Sequence, residues 1–185
     1  CNVTDSNGCA FSGNPITVTL TDPSALVTTV TQIDVLCNGE NTGESTVIAT
    51  GGIPPYNYLW NDVVSQTGQT ANSLSAGTYT CIVTDANACT ESISILLNEP
   101  PIITTNISKV DASCNGSCDG SASVVAVGGS APYSYYWSDT NGGVNSVTSE
   151  TGDFLCAGVC YVEVTDNNGC SSIMSFDILE PTMIS

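Results

Sequence analysis

Cysteine is the residue type whose number and spacing suggest the most chemistry in this chain. The 185 residues contain 10 cysteines and no histidine. No C-x2-C pair occurs, and an acidic surface disfavours the thiolates that zinc requires, so zinc sites are not expected. The sequence therefore predicts a disulfide framework, which places the chain in an oxidising compartment outside the cell.

Carboxylates are the second set of candidate ligands, because Ca²⁺ takes several oxygens from acidic turns. The candidates are Asp85 and Asp166 in predicted hairpins, Asp119 after a C-N-G turn, and Asp139 and Asp153 in an inserted loop. None of them spells an EF-hand loop or a nonapeptide calcium repeat. Solvated turn carboxylates are the favoured interpretation, and no cofactor is predicted other than Ca²⁺ as the cation these residues would suit.

Charge excludes several classes of function. The chain has 18 acidic residues against a single basic one, Lys109, for a net charge of −17. Such a chain repels nucleic acids and anionic membranes, and no apolar run approaches the ~20 residues of a membrane span. Acids that recur between repeats fall in turns, so no catalytic residue is predicted and the chain is not expected to be an enzyme.

An internal repeat determines where these cysteines and carboxylates lie along the chain. C-N-G at 37–39 recurs at 114–116, and G-G-I-P-P-Y-N-Y-L-W at 51–60 recurs, with substitutions, at 128–137, each 77 residues later. Further on, A-G, V-T-D, C and E-P recur 81 residues later, which indicates a four-residue insertion. Because a fixed period of this kind indicates tandem modules, the chain is predicted to be part of an array.

The opening V-T-D-S-N-G-C, at 3–9, matches the end of the first complete repeat, so the sequence is expected to begin inside an earlier copy. The predicted domains are the C-terminal part of a preceding repeat, two complete repeats, and the start of the next: 1–23, 24–100, 101–181 and 182–185.

Within each copy, apolar residues alternate with period 2, bounded by Gly, Asn, Asp and Pro clusters, as is typical of short strands. We predict an all-β fold: tandem Ig-like, or PKD-like, antiparallel sandwiches of about seven strands, stacked end to end. Trp60 and Trp137, with Tyr56 and Tyr133, are predicted to fill the two cores. A catalytic or ligand-stacking tryptophan is the alternative.

The strand order then suggests local disulfides. A hairpin centred on Asp85 would place Cys81 opposite Cys89, and the same spacing suggests Cys1 with Cys9. In the second complete copy, the first turn and the turn before the sixth strand share one pole of the sandwich, so Cys114 and Cys118 are predicted to pair with Cys156 and Cys160. Two local C-x3-C loops are the alternative.

The last predicted disulfide joins successive domains. Each copy has one cysteine in its first turn and one in its final hairpin, at opposite poles of a sandwich about 30 Å long. In an end-to-end stack the lower pole of one copy faces the upper pole of the next, which predicts Cys37 with Cys170. The alternative is pairing inside each copy, Cys37 with Cys89 and Cys114 with Cys170.

The combination C-N-G, G-S-A-x-V-x-V-x-G-G, P-Y-x-Y-x-W, A-G-x-Y, V-T-D-x-N-G-C and E-P resembles the SprB-type repeat of very large surface adhesins in gliding Bacteroidetes-type bacteria. The resemblance implies export by the type IX system and display as a filament or adhesin. It implies two cysteines per copy, so Cys81, Cys118, Cys156 and Cys160 are additional.

Three functions follow as hypotheses. The first is a structural stalk of a secreted surface filament or adhesin, whose partners are neighbouring repeats of the same polypeptide or filament. The second is a repeated module that binds surface glycans, or binds in a Ca²⁺-dependent way. The third is a spacer inside a secreted hydrolase.

Overall fold

The computed structural model describes residues 4–9, 19–140, 144–145 and 149–183. Thirteen strands occur in this part of the chain. In the first repeat they are β1 Val27–Ile33, β2 Gly43–Thr50, β3 Asn57–Trp60, β4 Thr70–Leu74, β5 Gly77–Thr84 and β6 Thr90–Leu97. In the second they are β7 Thr104–Val110, β8 Gly120–Val127, β9 Ser134–Asp139, β10 Val144–Asn145, β11 Thr151–Leu155, β12 Gly158–Thr165 and β13 Ser171–Ile178.

The strands form four small antiparallel sheets, two for each repeat. The first repeat pairs the sheet β1-β2-β4 with the sheet β3-β5-β6, and the second pairs β7-β8-β11 with β10-β9-β12-β13. This division of strands between two sheets is that of the Ig-like sandwich. The chain is therefore a tandem of Ig-like sandwiches, with six described strands in the first and seven in the second, where β10 adds two residues beside β9.

Each sandwich has its own core. The cluster around Trp60 includes Val47, Val83 and Leu97, and the cluster around Trp137 includes Val124, among other buried side chains. Both tryptophans are at most 1% exposed. Their indole nitrogens donate to backbone carbonyls, so the one polar atom of each ring is satisfied inside the core.

The predicted core tyrosines lie at the rim of these clusters and brace a turn. Tyr56 is partly buried against the first core, and its hydroxyl donates to the carbonyl of Gly51 at 2.6 Å. Tyr133 repeats the arrangement with Gly128 in the second sandwich. These rings thus hold the turn between the second and third strands against the sandwich.

Candidate functional site at the junction between the sandwiches

The hairpin between β12 and β13 carries one cysteine, Cys170. It lies at the end of the second sandwich that faces the first, which we call the upper pole; the opposite end, with the C-N-G turn, is the lower pole. The Asp166 carboxylate accepts hydrogen bonds from the backbone N–H groups of Asn168 and Cys170, both at 2.9 Å, and from that of Ser130 at 2.8 Å. Burial raises the pKa of Asp166, but these N–H donors outweigh it and leave the pKa below its ordinary value. The aspartate is therefore a charged brace that fixes the position of Cys170.

The turn after β1 presents a cysteine at the lower pole of the first sandwich. The Gly39 N–H donates to the Glu99 carboxylate at 2.7 Å, and the Asn38 side-chain amide donates to the carbonyl of Pro100 at 3.0 Å. The C-N-G turn is thus bound to the E-P segment that leads into the second sandwich. The joint recurrence of C-N-G and E-P in both repeats is the sequence signal for this contact, which the predictions above do not include.

These two elements meet at the junction. Cys37 and Cys170 form a disulfide, with their Cα atoms 5.5 Å apart and a sequence separation of 133. The side chain of Asn168 donates to the carbonyl of Leu36 at 3.1 Å, next to the disulfide. The repeat pattern predicts the contact of the two cysteines but not that of this asparagine. The sandwiches are therefore joined twice. One connection is the peptide linker, residues 98–103, and the other is the Cys37–Cys170 disulfide, which we call the clasp.

A cleft lies beside the clasp. It is bounded by the C-N-G turn, the linker and the hairpin, and its walls include Cys37, Pro100, Ile102, Gly129 and Cys170. Its walls carry one acidic side chain, Glu40, and no basic one. The cleft is thus a seam between the two sandwiches, and its one charged side chain is acidic.

A second disulfide ties two turns at the lower pole of the second sandwich, Cys118 with Cys156. It is one of the pairs within the set that the sequence analysis predicted. The accompanying pair, Cys114 with Cys160, is not formed, and this part of the prediction is corrected. Cys160 lies in β12 with its side chain in the core, 0% exposed, whereas Cys114 is exposed on the turn. The remaining alternative, two local C-x3-C loops, is not what the structure forms.

The predicted Cys81–Cys89 disulfide is also corrected. The register of β5 and β6 pairs Thr84 with Thr90 and places Ile93, not Cys89, opposite Cys81. Cys81 is buried in the first core, and Cys89 is exposed at the tip of the hairpin. Burial raises the pKa of both core thiols, Cys81 and Cys160, so each behaves as a small apolar side chain.

The other cysteine prediction, Cys1 with Cys9, involves a residue outside the described part of the chain. Cys9 itself is exposed and, within the described ranges, has no disulfide partner. It belongs to a turn with the same side-chain contacts as the one at Cys170, because the Asp5 carboxylate accepts from the N–H groups of Asn7 and Cys9, both at 2.9 Å.

The candidate calcium ligands serve as hydrogen-bond acceptors in turns or lie in strands. Asp85 accepts from the N–H of Ile53, and this bond, with others from the hairpin, lowers its pKa. Asp119 accepts from Ser113 and Ser117, which lowers its pKa to about 2. Asp139 and Asp153 lie in β9 and β11 rather than in the inserted loop that the sequence suggested. Across the described ranges, no three Cys, His, Asp or Glu side chains come together as a possible metal site.

Among the residues that the structure describes, none belongs to a helix with the length and apolar character needed to span a membrane.

Comparison with known proteins assigns the repeats. The family model of the SprB repeat matches residues 29–65 and 106–142, one match in each sandwich. Both matched segments contain the C-N-G turn and the tryptophan of the core. None of the curated proteins matches this chain.

Several solved structures with tandem Ig domains are similar in fold. A structure reported under "Structural basis for Dscam isoform specificity" has 13% identity and a TM-score of 0.37, over 86% of this chain and 47% of that one. The amphioxus IgVJ-C2 molecule has 13% identity and a TM-score of 0.35, over 80% and 95%. The mouse nectin-like molecule 4 ectodomain has 14% identity and a TM-score of 0.34, over 88% and 67%. This chain spans about half the length of the Dscam chain, and the similarities carry no information on function.

Proposed function

We propose that this chain, which carries two SprB repeats and two disulfides, is a stalk segment of an extracellular surface adhesin or filament. The coarser assignment, a surface adhesin repeat outside the cell, follows from the family match and from disulfides, which persist in oxidising environments. The family match is to a surface repeat and not to a catalytic family. Export by the type IX system and a role in gliding stay predictions from the resemblance.

The observation that carries the stalk proposal is the clasp between Cys37 and Cys170. A linker alone lets two modules bend and swivel about one point, whereas a second covalent connection removes most of that freedom. The hydrogen bonds of Asn38 and Asn168 fasten both sides of the same joint. Stiffness of the joint is a property that a spacer needs and that a binding module does not.

Glycan binding is supported less well. Tyr136 and Tyr161 are exposed on the outer face of the sheet β9-β12 in the second sandwich, where stacking on a sugar would be feasible. The equivalent positions in the first sandwich hold Leu59 and Thr80, with no aromatic ring. A binding role for each copy is therefore not supported, and we retain the stalk.

The test is the distribution of distances between the two sandwiches in solution. Small-angle scattering and spin-label distances, one label per sandwich, would be compared for the native chain and the Cys37→Ser/Cys170→Ser variant. We expect a narrow distribution that broadens when the clasp is removed. The matched control is Cys118→Ser/Cys156→Ser, which removes a disulfide inside one sandwich and should leave the distribution narrow. A native distribution as broad as that of the clasp variant would refute the stalk.

A further inference from the structure

The two exposed cysteines at the outer poles, Cys89 and Cys114, have no disulfide partner among the residues that the structure describes. Cys89 stands in the first sandwich where Cys170 stands in the second, and Cys114 stands in the second where Cys37 stands in the first. We propose that each is one half of the clasp seen at the junction, and that its occupant is the opposite pole of another copy of this repeat. The inference deepens the proposed stalk function by naming the partner of each pole.

The hairpin that carries Cys89 is built for the clasp in the same way as the hairpin of Cys170. The Asp85 carboxylate accepts from the N–H groups of Asn87 and Cys89 at 2.9 and 2.8 Å, as Asp166 does from its own pair. In both hairpins the aspartate N–H also donates to the cysteine carbonyl at 2.9 Å. The hairpin therefore holds the backbone of Cys89 on its sandwich in the same way as that of the cysteine that bonds at the junction.

The turn that carries Cys114 likewise matches the turn of Cys37. The Gly116 N–H donates to the Glu180 carboxylate at 2.6 Å, and the Asn115 side chain donates to the carbonyl of Pro181 at 3.2 Å. These are the counterparts of the Gly39 and Asn38 contacts in the first sandwich. The lower pole of the second sandwich thus presents a complete half of the clasp.

The hydrogen bond that accompanies the disulfide is also available at the outer poles. At the junction it runs from Asn168 to the carbonyl of Leu36. Asn87 occupies the position of Asn168 in the first hairpin, and the Ser113 carbonyl occupies that of Leu36 in the second turn. Because both partners of the contact recur, the surface that recognises the opposite pole recurs with the cysteine.

The bond forms by thiol–disulfide exchange. The thiols of a turn cysteine and a hairpin cysteine lose two protons and two electrons and form one disulfide, while a disulfide oxidant such as oxidised glutathione takes up both and becomes two thiols. The proposal therefore gives a rule for pairing: a turn cysteine pairs with a hairpin cysteine in preference to another cysteine of its own kind.

The test uses the 185-residue chain in a glutathione redox buffer at high protein concentration. About 0.5 M salt is needed, because two chains of charge −17 repel each other and salt screens that repulsion. Cross-linked species would be separated and their disulfides mapped by mass spectrometry. We expect links of Cys114 to a hairpin cysteine of a second chain, Cys89 or Cys9. These links should exceed Cys114–Cys114 and Cys89–Cys89 links by about fivefold, since one ordinary hydrogen bond already contributes that factor.

Two variants make the test sharper. Cys114→Ser chains should form no opposite-kind links, and Cys89→Ser chains should retain only links to Cys9. The Asn87→Ala variant keeps every thiol and should reduce the excess of Cys114–Cys89 links. Equal amounts of same-kind and opposite-kind links, or an excess that Asn87→Ala leaves unchanged, would overturn the proposal.

This outcome is separable from failure of the stalk. A narrow inter-sandwich distribution with random cross-links would leave the stalk in place and remove the pole pairing. A broad distribution of distances between the sandwiches, together with links between turn and hairpin cysteines, would refute the stalk and leave the pole pairing in place.

Discussion

Removal of the clasp should destabilise both sandwiches, although the disulfide lies inside neither. When the second sandwich unfolds alone, the linker holds one end of the unfolded segment and Cys170 holds the other, which closes a loop of about 70 residues. Unfolding the first sandwich alone closes a loop of similar length, between Cys37 and the linker. In the chain-entropy description each loop costs the unfolded state about 4 kcal/mol, and unfolding of both together about 5 kcal/mol.

The assay is thermal unfolding of Cys37→Ser/Cys170→Ser, followed by hydrogen-exchange mass spectrometry so that peptides from β1–β6 and β7–β13 report separately. A loss of 4 kcal/mol corresponds to a fall in Tm of roughly 15–30 °C for a domain of this size, which is the upper limit of the effect. Both sandwiches should lose stability by similar amounts.

The control is Cys118→Ser/Cys156→Ser. That disulfide spans 38 residues within the second sandwich, and the same description assigns it about 4 kcal/mol. Its removal should lower the stability of the second sandwich and leave the first unchanged. If the clasp variant also affects one sandwich only, or neither, the two-ended loop argument is wrong.

Three further substitutions are suggested by comparing the two repeats. Ser45 is fully buried and, among the described residues, its hydroxyl has no hydrogen-bond partner, whereas the second repeat has Ala122 at this position. We therefore expect Ser45→Ala to raise the free energy of unfolding in urea by about 1 kcal/mol, and a decrease would contradict this. Ala88 has a φ of 64°, a conformation that Gly169 adopts in the second hairpin, so Ala88→Gly should gain about 1 kcal/mol in the same assay, and no gain would refute the strain. The pKa of Asp119 lies at about 2 against an ordinary 3.8, so its hydrogen bonds stabilise the fold above pH 4 and are lost as the pH falls toward 2. Asp119→Asn should therefore reduce the fall in Tm between pH 4 and 2, and an unchanged fall would exclude that contribution.

Much of the fold followed from local pattern. The alternation in β8 and β12 predicts strands with one buried face, and two widely spaced tryptophans indicate two cores rather than one. The contact of Cys37 with Cys170 could be predicted from the sequence because it depends only on which pole of its sandwich each turn occupies. That is a property of the strand order and not of any side-chain detail.

The register of the hairpin between β5 and β6 could not be predicted from the sequence in the same way. A turn centred on Asp85 would have placed Cys81 opposite Cys89, but the Asp85 side chain takes two backbone N–H groups and builds a longer turn. The centre of the hairpin moves by two residues, from Asp85 to Asn87, so the residue opposite Cys81 changes by four, from Cys89 to Ile93. Side-chain hydrogen bonds to the backbone decide such a shift, and strand propensity does not contain them.

Cys160 shows a signal that the sequence contained and that we did not use. It alternates in phase with Val162 and Val164, so it shares their inward face in β12. A cysteine on that face packs in the core and cannot reach the exposed turn of Cys114. Whether a cysteine alternates with the inward-facing or the outward-facing residues of its strand therefore distinguishes thiols that pack in the core from those that can form a disulfide at the surface.

The clasp also determines which part of the chain bears tension. A pull applied between β1 and β13 passes from the first strand to Cys37, across the disulfide, and out through Cys170, so the residues between them lie off the load path. About 130 residues of contour, roughly 430 Å when extended, are thereby withheld as long as the disulfide is oxidised. Under tension the load therefore bypasses this segment while the disulfide is intact, and the chain between β1 and β13 hardly extends. After reduction, the load would pass through both sandwiches, and their unfolding would release the withheld length.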